Sequence, residues 1–277
     1  MSNLLTRLLS GLAYVVVFVA AILYGQGGFC ILFALVTALA LHEFNELLET
    51  HQLATVNSTM SMIMGVYLFL SVFCLCTRSV SPVIFLPYLL SVMFVLINEL
   101  YMKRSNPLAN WAYTFAGQFY IALPFALMNL LAFHGDAGYS GLLPLAIFIF
   151  IWINDTGAYC FGTALHKKIP YKLFERISPH KSWIGSIGGT LTVLVSAAVF
   201  SCIDSSLSLF AWLGLGLTVA VFATWGDLVE SLFKRQLGIK DSGRFLPGHG
   251  GVLDRFDSAL LAIPAAVVYL YSLHFLS

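Results

Sequence analysis

Between Ser231 and Asp257 the chain reads SLFKRQLGIKDSGRFLPGHGGVLDRFD, which sets Lys234, Arg235, Lys240, Arg244 and Arg255 beside Asp241, Asp254 and Asp257. Asp227 and Glu230 come just before it, at the end of a long apolar run. Charges of both signs, a histidine and several glycines in one short stretch suit phosphate handling. Cations attract the anion, glycines let backbone N–H groups come close, and carboxylates can hold a metal ion. Asp227, Glu230, Ser231 and Lys234 stand at i, i+3, i+4 and i+7, one face of a helix. In the PGHGG loop (residues 247–251), Gly250 and Gly251 are placed to turn N–H groups toward an anion, and His249 to donate to phosphate or to fix the loop. Asp254 and Asp257 project the same way if a helix has begun there. One of them, Asp257 before Asp254, is open to a plain N-cap role.

Two stretches upstream add to this. Asp155 ends an uncharged run from Leu142 to Asn154, within NDTGAYCFG. An aspartate at the centre of a membrane helix costs about 2.5–3.5 kcal/mol on insertion scales, so one kept there is a functional candidate; a packing role with a loop lysine as partner is the alternative. The segment HKKIPYKLFERISPHKSWIGSIGG follows, a basic loop with a Ser-Pro turn and a Gly-rich helix start. It is suited to a triphosphate, though cytoplasmic topology alone would also account for its charges. In LHEFNELLE, His42 and Glu46 share a helical face; a polar helix end is the weightier reading over a metal site, because no second histidine supports one. Gln118, Asn129, Asn98 and Glu99 read as polar links between helices, and Pro124 as a kink.

These groups have to be positioned by membrane helices. The chain has 277 residues, of which 59% are hydrophobic and 10% charged, with mean hydropathy +0.88, against about 25% charged in soluble domains. Nine apolar segments are long enough to span a bilayer: 8–24, 29–48, 59–75, 82–101, 111–133, 142–161, 183–203, 207–229 and 260–275. With the N-terminus inside, every Lys and Arg except Arg78 falls on the cytoplasmic side, which predicts nine spans with the C-terminus outside. The expected fold is therefore an all-α polytopic membrane protein, a single domain over residues 1–277. The first span is expected to be retained rather than cleaved as a signal peptide. The net charge of +1 and the absence of a basic face beyond the loops make nucleic acid an unlikely partner. The five cysteines show no ligand spacing and read as free thiols.

The spacing S-x-x-K-R-x(4)-K-D-x-G-x(3)-P-x-H-G-G-x-x-D-R-x-D resembles the C-terminal motif of the phosphatidate cytidylyltransferases, and NDTGAYCFG resembles their middle region. The family segment S-P-K-K-T-W-E-G is matched at Ser178, Pro179, Lys181, Trp183 and Gly185, while His180 replaces a lysine and Ile184 the glutamate. The resemblance is at motif level over residues 140–258 and in hydropathy alone before them. It implies transfer of a cytidylyl group from CTP to phosphatidic acid, giving CDP-diacylglycerol and pyrophosphate. The site residues carried over are Asp227, Lys234, Arg235, Lys240, Asp241, His249, Asp254, Arg255 and Asp257, with Asp155, Ser178, Lys181, Ser231, Gly250 and Gly251 binding substrate. Mg²⁺, with a second cation conceivable, is assigned to Asp227 and Asp254, with Asp155 and Asp257 next. A bacterial inner membrane, a cytosolic site and a possible homodimer complete the expectation. The competing readings are a CTP-dependent lipid-alcohol (polyprenol) kinase, a membrane transporter and a non-catalytic assembly protein.

Overall fold

The computed structural model describes residues 3–77, 80–134, 138–165, 171–243 and 250–276, with side chains described from residue 11 onward. The helices in chain order are α1 (Asn3–Leu23), α2 (Gln26–Thr50), α3 (Ser58–Cys76), α4 (Leu86–Met102), α5 (Pro107–Gly117), α6 (Leu123–Ala132), α7 (Leu142–Leu165), α8 (Trp183–Ile203), α9 (Leu209–Gln236) and α10 (Leu253–Ser272). A 3-10 turn at Pro82–Phe85 leads into α4, and a π turn at Gln118–Ala122 joins α5 to α6. Each of the nine apolar segments falls on one of these helical stretches. Among the described residues, seven stretches are long and apolar enough to cross a membrane: α2, α3, α4 with its lead-in turn, α5–α6 taken together, α7, α8 and α9. The protein is an all-α membrane protein, with a small antiparallel hairpin, β1 (Lys172–Phe174) and β2 (Ser178–Ser182), between α7 and α8.

Local chemistry sets the helix starts. Side-chain oxygens of Asn57, Asn106, Ser182 and Ser208 accept from backbone N–H groups three residues on, and so cap α3, α5, α8 and α9. Pro107 occupies the first turn of α5, where its missing N–H costs nothing. A kink is expected at Pro124, and a π turn stands just before it. A proline lacks an N–H and crowds the carbonyl four residues back, and a wider turn relieves both problems.

The chain groups into two compact units, Met1–Gly141 with Asp241–Arg255, and Leu142–Lys240 with Phe256–Ser277. In the first, Phe18, Phe29, Phe33, Phe69 and Phe125 are buried together, with ring centroids 4.8 Å apart for Phe29 and Phe33 and 6.0 Å for Phe33 and Phe125. Polar links hold its helices as expected. Gln118 Nε2 donates to the Ser61 carbonyl at 2.9 Å and Asn129 Nδ2 to the Phe69 carbonyl at 3.3 Å. Buried Glu99 accepts from Arg104 at 2.8 Å and from Asn110 at 2.9 Å.

In the second unit, α7 and α8 are pressed together through glycine. A Cβ on Gly189 would lie 2.6 Å from the Asn154 carbonyl oxygen, and one on Gly185 would lie 2.8 Å from that of Ala158. Small residues let membrane helices approach to backbone contact in this way. Gly226 gives α9 the same closeness to α10, where a Cβ would stand 2.7 Å from the Asp257 carbonyl. Phe150, Phe200 and Trp212 fill the space away from the polar end, with edge-on ring contacts of 5.3 and 6.3 Å from Phe150.

Candidate active site

The close α7–α8 pairing fixes where a cleft opens in the second unit. Its volume is about 260 Å³, and Asn154, Asp155, Tyr159, His180, Lys181 and Asp227 are among its lining residues. The hairpin supplies His180 and Lys181. Its strands pair Lys172 with Ser182 and Phe174 with Ser178, so β2 runs directly into the capped start of α8. Gly185 and Ser186, in the first turn of α8, also line the cleft. The first turn of a helix offers unpaired N–H groups and a partial positive charge to an anion. The cleft is thus lined by a helix N-terminus, a lysine, a histidine and the carboxylates of Asp155 and Asp227.

Asp155 lies on α7 and Asp227 on α9, and further acids of the unit stand on α9 and α10. Asp227 forms an ion pair with Lys181 through Oδ2 and accepts from Ser231 Oγ at 3.1 Å through Oδ1. One turn further along α9, Glu230 is fully buried and pairs with Lys234. Asp257 lies in the electrostatic field of Asp227, Glu230 and Asp155. Such a concentration of negative charge calls for cations, and lysines supply some of it here. Among the described residues, no three His, Cys, Asp or Glu side chains converge into a self-sufficient metal centre. Magnesium takes one or two protein carboxylates and completes its shell with phosphate and water oxygens, so the oxygen donors of Asp227 and Asp257 fit it in kind.

The first unit builds a different arrangement around Glu43 on α2. This side chain is buried and accepts from Ser242 Oγ, from the Val252 N–H at 2.7 Å and from the Leu253 N–H at 3.1 Å. Gly243 and Gly251 lie against it, and a Cβ on Gly243 would come within 2.6 Å of Glu43 Oε2. Asp254 Oδ2 accepts from the Ser242 N–H at 2.9 Å and the Gly251 N–H at 2.8 Å. Gly250, with φ of +81°, makes the left-handed turn that brings Gly251 into place. The N-cap role weighed for Asp257, and less for Asp254, falls to neither. Because α10 begins at Leu253, Asp254 in its first turn reaches back to the Gly251 N–H before the helix, Glu43 accepts from the Leu253 N–H, and Asp257 lies a turn inside the helix.

The remaining predicted residues are placed as follows. Arg235 is exposed and ties the end of α9 to the hairpin, its Nε donating to the Ile177 carbonyl at 3.2 Å. Lys240, Asp241 and Arg255 are exposed, and Ser178 is half-buried in β2. His249 lies outside the described residues, as does Arg244. His42 and Glu46 are exposed on α2, which bears out the polar-helix-end reading. Sequence reasoning missed Glu43, Ser242 and Asn154. For Glu43 a signal was present. Ala40 and Leu47, three residues before and four after it, are buried, so Glu43 sits on the inward stripe while His42, Glu46 and Glu49 form the outward one.

A cytidylyltransferase family model matches residues 5–273. The phosphatidate cytidylyltransferase of Staphylococcus aureus (strain COL) is 46% identical over 121 residues, and that of Staphylococcus haemolyticus (strain JCSC1435) is 45% identical over 121 residues. Each match takes in 43% of this chain and 45% of the relative, so the aligned stretch spans less than half the length of these curated proteins.

Proposed function

Because this chain belongs to the cytidylyltransferase family, we propose that it joins CTP to phosphatidic acid, releasing pyrophosphate and leaving CDP-diacylglycerol in the membrane. The observation that carries this reading is the cleft of the second unit, where Lys181, Asp227 and the N-terminus of α8 face one volume. The relatives are named for this activity.

In the reaction, a phosphate oxygen of phosphatidic acid forms a bond to the α-phosphorus of CTP as the bond to the pyrophosphate oxygen breaks. A phosphate monoester has a second pKa of about 6, so the nucleophile is already ionised and needs no strong base. The barrier is the approach of two polyanions, and fixed positive groups lower it. Lys181 and the first-turn N–H groups of α8 hold nucleotide phosphate, while Lys234 balances the buried charge of Glu230. Lys240, Arg235 and Arg255, all exposed, supply further positive charge for the lipid phosphate and the leaving pyrophosphate. Magnesium is assigned to Asp227 and Asp254, with Asp155 and Asp257 next; when bound, it neutralises phosphate charge and orients an in-line displacement. His180, where the family carries a lysine, adds a ring N–H to the cleft in place of an ammonium group.

Nine spans with the N-terminus inside and the C-terminus outside and a cytosolic site in a bacterial inner membrane form part of the same reading. Its support is the distribution of Lys and Arg among the loops. The test is product analysis. Purified protein is given labelled CTP with phosphatidic acid or with a long-chain alcohol, with and without Mg²⁺. CDP-lipid and pyrophosphate from phosphatidic acid are expected, and only with the metal present. A phosphorylated alcohol with release of CDP would replace this reading with a lipid kinase.

A further inference from the structure

Four hydrogen bonds from one short stretch of backbone end on two carboxylates, Glu43 and Asp254, and a fifth reaches Glu43 from Ser242 Oγ. Both flanks of residues 244–249 take part, Ser242 before them and Gly251, Val252 and Leu253 after. Val252 and Leu253 N–H groups stand at the start of α10, where donors have no partner within the helix and a negative charge is favoured. Glu43 reaches them from α2, about two hundred positions earlier in the chain. The fit is close, since Gly251 packs so tightly on the Glu43 carboxylate that no side chain could stand there.

We infer that Glu43 is a positioning residue for the reaction: it fixes the start of α10 and the Ser242 backbone and so sets the aim of Asp254. This rests on the proposed cytidylyl transfer and on Asp254 serving the cation. The chemistry demands a carboxylate. Glu43 Oε1 accepts from Ser242 Oγ and the Leu253 N–H, and Oε2 accepts from the Val252 N–H, so both oxygens are acceptors. A glutamine would turn an NH₂ group toward one of these donors. Asp254 then loses its fixed surroundings, because the same Ser242 and Gly251 backbone that bonds its Oδ2 is no longer held from the other side. Groups that orient a ligand residue typically change metal affinity or activity by about 10- to 100-fold when altered.

The test uses the full-length protein in lipid nanodiscs, comparing wild type with Glu43→Gln, Glu43→Asp and Ser242→Ala. Product formation is titrated against Mg²⁺, CTP and phosphatidic acid, and hydrogen exchange is followed in peptides covering residues 241–243 and 250–255. For Glu43→Gln the half-saturating Mg²⁺ concentration is expected to rise about 10- to 100-fold, with KM for phosphatidic acid unchanged. Faster exchange should extend from Val252 and Leu253 to Ser242 and Gly251. Glu43→Asp should fall between wild type and Glu43→Gln. Ser242→Ala, which removes one donor and leaves the fold safe, should shift the Mg²⁺ dependence about two- to tenfold. A folded Glu43→Gln protein with the wild-type Mg²⁺ dependence overturns the inference, and so does a rate lowered equally at every Mg²⁺ concentration. A fully active Asp254→Asn also overturns it while leaving the transferase reading intact. An inactive wild type overturns the transferase reading instead and removes the catalytic part of the inference with it.

Discussion

The two units satisfy their acids in opposite ways. In the first, Glu43 and Asp254 are bound by backbone N–H groups and a serine hydroxyl, donors that cannot leave without the chain itself moving. In the second, Asp227 and Glu230 are paired with Lys181 and Lys234, long flexible side chains whose ammonium groups can exchange a carboxylate for a phosphate. Backbone donors suit an acid whose position must be fixed. Lysine partners suit an acid that must release its counter-ion when an anion or a metal arrives. The difference separates acids held by the chain from acids held by movable side chains, among carboxylates that look alike in the sequence.

The largest effect should come from an acid held by lysine. Asp227→Asn keeps the size of the side chain and an acceptor for Ser231, so the fold should remain. Turnover is expected to fall about 100- to 1,000-fold, the scale on which fixed charge acts at a reacting centre. Rates of CDP-lipid formation beside a thermal unfolding curve would measure it, and near-normal turnover would remove Asp227 from the chemistry. A smaller effect should follow in the backbone-held cluster. Gly251→Ala pushes a methyl group into the Glu43 carboxylate, and overpacking of this kind costs about 1–3 kcal/mol. Here the loss should appear as a lower Tm. An unchanged Tm would mean that the loop yields easily and that the cluster is not rigid. The smallest effect belongs to the outward face of α2. His42→Ala and Glu46→Gln should change stability by no more than about 0.5 kcal/mol and leave activity intact. A marked loss in either would show that the outer stripe, and not Glu43 alone, takes part.

Much of the fold was legible because lipid leaves few options. Long uncharged runs must become helices, and the nine apolar segments match the helical stretches. Gln118, Asn129 and Glu99 behave as polar links because an amide or acid among apolar helices has little else to bond. Other features depend on tertiary pairing that local pattern does not encode. Glu43 gains its role from residues some two hundred positions away, and the helix face it occupies only says that it points inward. The Ser-Pro segment reads as a loop, yet pairing with Lys172–Phe174 turns it into a strand that presents His180 and Lys181. Asp254 and Asp257 differ by less than one helical turn. Which of them stands in the first turn depended on where α10 starts, a boundary sequence places only to within a few residues.

The length of α9 has a consequence for where the chemistry lies in depth. Its apolar part, Leu209 to Gly226, has 18 of its 28 residues and is about 27 Å long at 1.5 Å per residue. That is close to the roughly 30 Å of hydrocarbon in a bilayer. The remaining turns, with Asp227, Glu230, Ser231, Lys234 and Arg235, then emerge at the headgroups without any need for the helix to tilt. Under the proposed transfer, a lipid phosphate would meet them there while its acyl chains stay among their own kind. Bilayer thickness would then set the depth of the charged turns: longer acyl chains would draw them toward oil, and shorter ones would lift them into water.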